Sequence, residues 1–82
     1  MSFIKKFNEQ HPKFLQELLR VFPNLTQRET LLCMYLKLNY SNKEISKKMQ
    51  ISRSTVDIYR HRARKKMNLT RSDSIISFLN KL

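Results

Sequence analysis

The chain has 82 residues, 17 of them Lys or Arg and six Asp or Glu, for a net charge of +11. That length holds one small domain, and a hydrophobic content of 40% excludes wholesale disorder. Such a charge calls for a polyanionic partner, whether DNA, RNA or an anionic membrane surface. The single cysteine, Cys33, excludes an internal disulfide and a cysteine-cluster zinc site, which suits a reducing intracellular setting.

Phe3, Ile4 and Phe7 make a first apolar stripe at helical spacing. Pro12 suits the first turn of a second helix, whose face is Phe14, Leu15, Leu18, Leu19 and Phe22, and Pro23-Asn24 stops it. Thr26-Gln27-Arg28-Glu29 reads as a capping box, and the helix after it puts Glu29, Leu32, Cys33 and Leu36 on one face. Its apolar run Leu31–Leu36 is far too short to span a membrane, and no secretory signal precedes it, so a soluble cytoplasmic protein is expected. Ser41-Asn42-Lys43-Glu44 is a second capping box, opening a short helix with Ile45 and Met49 inward. Ser52 caps a longer helix, about Arg53 to Lys66. Thr70-Arg71-Ser72-Asp73 is read as the opening of a last helix, with Ile75, Ile76 and Leu79 as its apolar face. The chain has no glycine, and Asn39 and Asn68 stand where the left-handed residue after a helix is needed, a role Asn fills best after glycine. The expected fold is all-α: a small bundle with a helix-turn-helix, four core helices and one or two N-terminal ones.

The corner between Ile45 and Val56 carries the functional reading. Small Ser46 admits a close neighbour, Met49, Ile51 and Val56 bury the bend, and Ser52 restarts the chain after a few turn residues. In a helix-turn-helix the first helix crosses the DNA backbone and the second lies in the major groove. The second helix here carries Arg53, Arg60, Arg62, Arg64, Lys65 and Lys66. At 100° per residue, Val56, Tyr59, Ala63 and Met67 form its inner side. Ser54, Asp57, Ile58, His61 and Lys65 form the opposite, base-reading side. Phosphate contacts are expected from Lys43, Arg53, Thr55, Arg62, Arg64 and Lys66. Asp57 can accept a hydrogen bond from a cytosine amino group, or pair with Arg53 or His61 at i±4. Arg60 turns toward the inner side, where an ion pair with Glu29 or Glu44 competes with a phosphate contact. Cys33 reads as inert packing, His11 as a capping neighbour, and His61 has no partner at metal-ligand spacing.

The stretches "LTQRE" (Leu25–Glu29), "SNKEIS" (Ser41–Ser46), "ISRSTV" (Ile51–Val56) and "KKMNL" (Lys65–Leu69) resemble the LuxR/GerE-type C-terminal helix-turn-helix, in that family's order and spacing. The resemblance implies residues 25–82 as the DNA-binding domain and 1–24 as a helical extension. It also implies double-stranded DNA as partner, base contacts at the positions named above, a contact with RNA polymerase, and a homodimer on DNA through Ile75, Ile76 and Leu79 of the last helix. "FNEQHPKFLQELLRVFPNLT" and "LCMYLKLNYSNKEI" look like a subgroup of Bacteroidetes-type regulators in which this domain ends a longer chain. An excised C-terminal domain or a free-standing small relative is therefore expected. Three departures stand out: Asn39 and Asn68 replace the usual glycines, Tyr59 replaces a His, and Asp57 replaces a basic base-reading residue.

Two other readings compete. "HRARKK" (His61–Lys66) also resembles region four of a sigma factor, although the "LTQRE" opening and the last helix favour the LuxR type. A basic helix that binds protein or membrane would need an exposed apolar face, and here the corner consumes it, so no membrane partner is expected. No nucleophile–His–acid set and no phosphate loop suggests an enzyme, and no cofactor or metal is called for.

Overall fold

A computed structural model describes residues 2–82 as six α-helices, with no strand among them. They are α1 (Phe3–Gln10), α2 (Phe14–Val21), α3 (Gln27–Lys37), α4 (Asn42–Met49), α5 (Arg53–Lys66) and α6 (Ile75–Asn80). The all-α expectation holds, and each of the four helices expected from Thr26 onward is present.

Helix starts follow the hydroxyl caps. Thr26 and Ser41 each accept from the amide three residues on, while Glu29 and Glu44 reach back to the cap amides at 3.0 and 2.9 Å. Both capping boxes therefore form in full and satisfy amides that a helix start leaves free. Ser52 accepts from the Thr55 amide at 3.1 Å. Two starts differ from expectation. Pro12 lies in the turn before α2, which begins at Phe14 after Lys13 without a side-chain cap. The Thr70–Asp73 segment is a turn: the Asp73 carboxylate accepts from the Thr70 amide and hydroxyl at 2.9 and 3.0 Å, and Ser74 caps α6. His11 ends α1, its amide donating to Phe7 O at 2.8 Å.

Helix ends explain a chain with no glycine. α3, α4 and α5 all close with the same pair of hydrogen bonds around a left-handed residue: Asn39 (φ 64°), Gln50 (φ 57°) and Asn68 (φ 57°). The residue after each donates to a carbonyl five positions back: Tyr40 to Tyr35, Ile51 to Ser46 and Leu69 to Arg64. These are Schellman closures, in which that next residue is apolar and turns onto the core; Tyr40, Ile51 and Leu69 all pack against it. Both asparagines sit where the sequence puts them, while Gln50 carries no such mark.

α3 is the centre of the molecule. Leu32 through Leu36 are buried in succession, so this stretch of the helix is covered all round, with α5 and α6 among its neighbours. Val56 and Ala63 of α5 and Ile75 and Leu79 of α6 close over it, and Ile45 and Met49 of α4, which packs on α5, belong to the same core. Each fully buried aliphatic side chain contributes about 1.5–3 kcal/mol. Ile51, expected inside the corner, is only partly buried. Phe7, Phe14 and Leu18 of the first two helices belong to the same core. The Phe3 ring stacks on Tyr35 at 4.4 Å, and Phe7 meets Phe14 edge-on at 5.5 Å.

Candidate nucleic-acid interface

The α4–α5 corner directs one side of α5 inward and the other to solvent. Val56, Ala63 and Met67 are buried and Tyr59 partly so, which leaves Ser54, Asp57, Ile58, His61 and Lys65 exposed together. All five base-reading candidates therefore share one outward surface. Ile58 is 48% exposed, a large apolar side chain with about half of its surface left in water. Ser54 is tied to the helix start, its hydroxyl 2.9 Å from that of Ser52, as is the hydroxyl of Thr55.

Asp57 pairs with neither Arg53 nor His61, the partners expected at i±4. Its Oδ1 accepts from Asn42 Nδ2 at 3.1 Å, and Asn42 Oδ1 in turn accepts from Arg60 Nη1 at 3.3 Å. The first residue of α4 thus bridges two residues of α5. Arg60 is half-buried and bonded to this amide, not to Glu29 or Glu44. Burial pulls its pKa below the ordinary arginine value, and the nearby Asp57 charge opposes that pull.

The phosphate candidates divide. Lys43, Arg53 and Arg62 are exposed, with side chains free of ion pairs among the described residues. Lys66 is committed elsewhere: its Nζ lies 2.6 Å from Glu29 Oε1 and 2.9 Å from Asn24 O. Arg64 donates from Nη2 to Thr70 O and to Asp73 O, the latter at 2.7 Å, and so clamps the turn before α6. Both cations were expected on phosphates; in this structure Lys66 is bonded to a buried acid and a backbone carbonyl, and Arg64 to two backbone carbonyls. Glu29 explains the first. It is 2% exposed, and a buried carboxylate requires a cation or donors around it. Burial pushes its pKa up, but the Lys66 ammonium and the Thr26 amide outweigh that and hold it below the ordinary carboxylate value. Glu29 on the inward face was a legible sign that some cation must come in; which cation was not.

The dimerisation stripe is also revised. Ile75 and Leu79 are 1% and 0% exposed, because α6 is short and turns both onto α3. Only Ile76 of the three remains partly exposed. Ile75 and Leu79 cannot meet a second copy without leaving the core.

No helix of the described residues is long and apolar enough to cross a membrane. Among the described residues no group of three or more His, Cys, Asp and Glu could hold a metal ion. Comparison with characterised proteins and with solved structures found no match. The family described as "GerE: Bacterial regulatory proteins, luxR family" matches residues 23–79, a span that holds both capping boxes, the corner, all of α5 and most of α6. A basic helix-turn-helix inside a match of that extent settles the assignment: the chain belongs to the luxR family of bacterial regulatory proteins, whose helix-turn-helix binds DNA to regulate transcription.

Proposed function

We propose that this chain recognises a specific DNA sequence, with α5 lying in the major groove. The observation that carries this is the split of α5 into a buried side and an exposed side on which Asp57, Ile58, His61 and Lys65 stand together. Lys43, Arg53 and Arg62 lie beside that surface, with Thr55 at its start, as phosphate contacts. Charge alone would bind any DNA. Reading needs polar and apolar groups on the groove side, and this surface has both. Ile58 suits a thymine methyl group and Asp57 a cytosine amino group. Selection of bound duplexes from a random library tests the reading: a defined motif is expected, and recovery of unselected sequences would refute it.

A homodimer on a two-fold site is the assembly this reading implies, because one small module makes few base contacts and palindromic sites reward symmetric pairing. Footprinting that protects a single half-site without cooperativity would count against it. The division into a 1–24 extension and a 25–82 binding domain, the Bacteroidetes-type subgroup, a contact with RNA polymerase and a cytoplasmic location belong to the same proposal. They are supported by the resemblance of the motifs rather than by packing, since the first two helices share the core.

A further inference from the structure

Asp57 and Arg60 lie three residues apart on α5, a spacing at which a carboxylate and a guanidinium pair directly. They do not pair; among the described residues the ion pairs are Arg20–Glu17 and Lys66–Glu29. The Asn42 amide stands between them, donating to Asp57 at 3.1 Å and accepting from Arg60 at 3.3 Å. A carboxylate only accepts and a guanidinium only donates, so the chemistry dictates which way the amide faces. A carboxamide is the side chain that serves both neighbours at once. Asp57 Oδ2 makes no hydrogen bond among the described residues, so one oxygen is held and the other stays free on an exposed side chain.

We infer that Asn42 is a positioning residue for DNA reading: from α4, without touching a base, it keeps the Asp57 carboxylate off Arg60 and aimed at the groove. This rests on the proposed reading of α5. Without the amide, Asp57 is free to turn along the helix onto Arg60 and withdraw from the bases. Sequence preference then falls through a residue on the other helix.

The test uses the full chain and the motif that it selects. Discrimination is measured as the affinity ratio between the selected duplex and one carrying a substitution at the base pair whose preference Asp57→Ala removes. Asn42→Ala should lower that ratio about fivefold, the low end for one lost base contact. Asn42→Asp, similar in size and still able to accept from Arg60, should lower it as far, because it cannot donate to Asp57. The double variant Asn42→Ala/Asp57→Ala should lose no more than Asp57→Ala alone, since coupled residues are not additive. A merely structural Asn42 would weaken binding to both duplexes alike and leave the ratio at the wild-type value; that result overturns the inference. If Asp57→Ala itself leaves every preference unchanged, the reading role of Asp57 fails and the inference falls with it. A wild-type chain that selects no motif refutes the proposed function instead.

Discussion

Replacing Lys66 by Met tests whether this cation serves the core or the DNA. Met keeps the length and helix preference of Lys and removes only the ammonium. The buried Glu29 carboxylate is then left with the Thr26 amide at 3.0 Å as its remaining partner, and Asn24 O loses its donor. Removing one member of a buried pair costs about 3–5 kcal/mol. Here the Lys66 side chain is 33% exposed, so water can reach the vacated place, and about 2–3 kcal/mol is expected. For a domain of this size that lowers Tm by roughly 10–20 °C. The pH dependence adds a sign. In the wild type the folded pKa of Glu29 is depressed, so its stabilisation is complete above the unfolded value of about 4.3 and is lost as the pH falls through the folded value. In Lys66→Met burial is no longer opposed by the ammonium and raises the folded pKa. The variant is then penalised at neutral pH and relieved as the acid protonates. Melting curves followed by circular dichroism should therefore converge as the pH drops from about 7 to about 4. Adding Glu29→Gln should recover much of the loss at neutral pH. A Lys66→Met chain that melts like the wild type, with a flatter plot of log affinity against log salt, would show the ammonium on phosphate and refute the structural assignment.

Arg62 and Arg64 should part company for the same reason. Arg62→Ala should weaken binding to all DNA and reduce the salt slope by about 0.9, whereas Arg64→Ala should lower Tm first, because its guanidinium clamps the turn at Thr70 and Asp73; equal salt slopes for the two variants would sink this distinction. Gln50→Gly should raise stability by up to about 1 kcal/mol, since Gln50 is held at φ 57° where a Cβ is unfavourable; denaturant melts that show a loss would remove the strain argument. The Cys33 thiol is pushed up to about 12 by burial, with the Glu29 charge adding, so a thiol reagent at neutral pH should react only on unfolding, and labelling of the native chain at the rate of free cysteine would contradict the packing.

What the sequence revealed and what it hid follow from distance along the chain. Thr26–Glu29 and Ser41–Glu44 act within one turn, so their helix starts could be read from residue types alone. Asn39 and Asn68 were legible because Asn tolerates the left-handed region. Gln50 was not, because its conformation is imposed by Ile51 turning onto the core and donating to Ser46 O. Thr70–Asp73 misled for a local reason. One hydrogen bond of a capping box, from the Thr70 amide to the Asp73 carboxylate, also closes a simple turn, and α6 waits until Ser74, one residue before Ile75 enters the core. The outward face of α5 followed from helical period, but the fate of its charges did not. Lys66 meets Glu29 across 37 residues and Asp57 meets Asn42 across 15, and a charge pattern on one helix cannot say which cations another helix will claim.

The three left-handed closures also bear on how DNA would be met. Each corner of the helix-turn-helix is built from residues that carry a Cβ, and nowhere does the chain hold a glycine to act as a hinge. Residues with a Cβ have fewer backbone states to explore than glycine, so α4 and α5 should keep their mutual angle when one partner is exchanged for another. On the proposed reading the protein docks as a preformed body, with little ordering entropy to lose on contact. The heat capacity change of association should then match the apolar surface covered at the interface, with no added contribution from folding coupled to binding. Shape adjustment at a poorly fitting site would fall to the duplex, whose local bendability depends on its sequence. A stiff corner of this kind would let base pairs that no side chain touches influence where the protein settles.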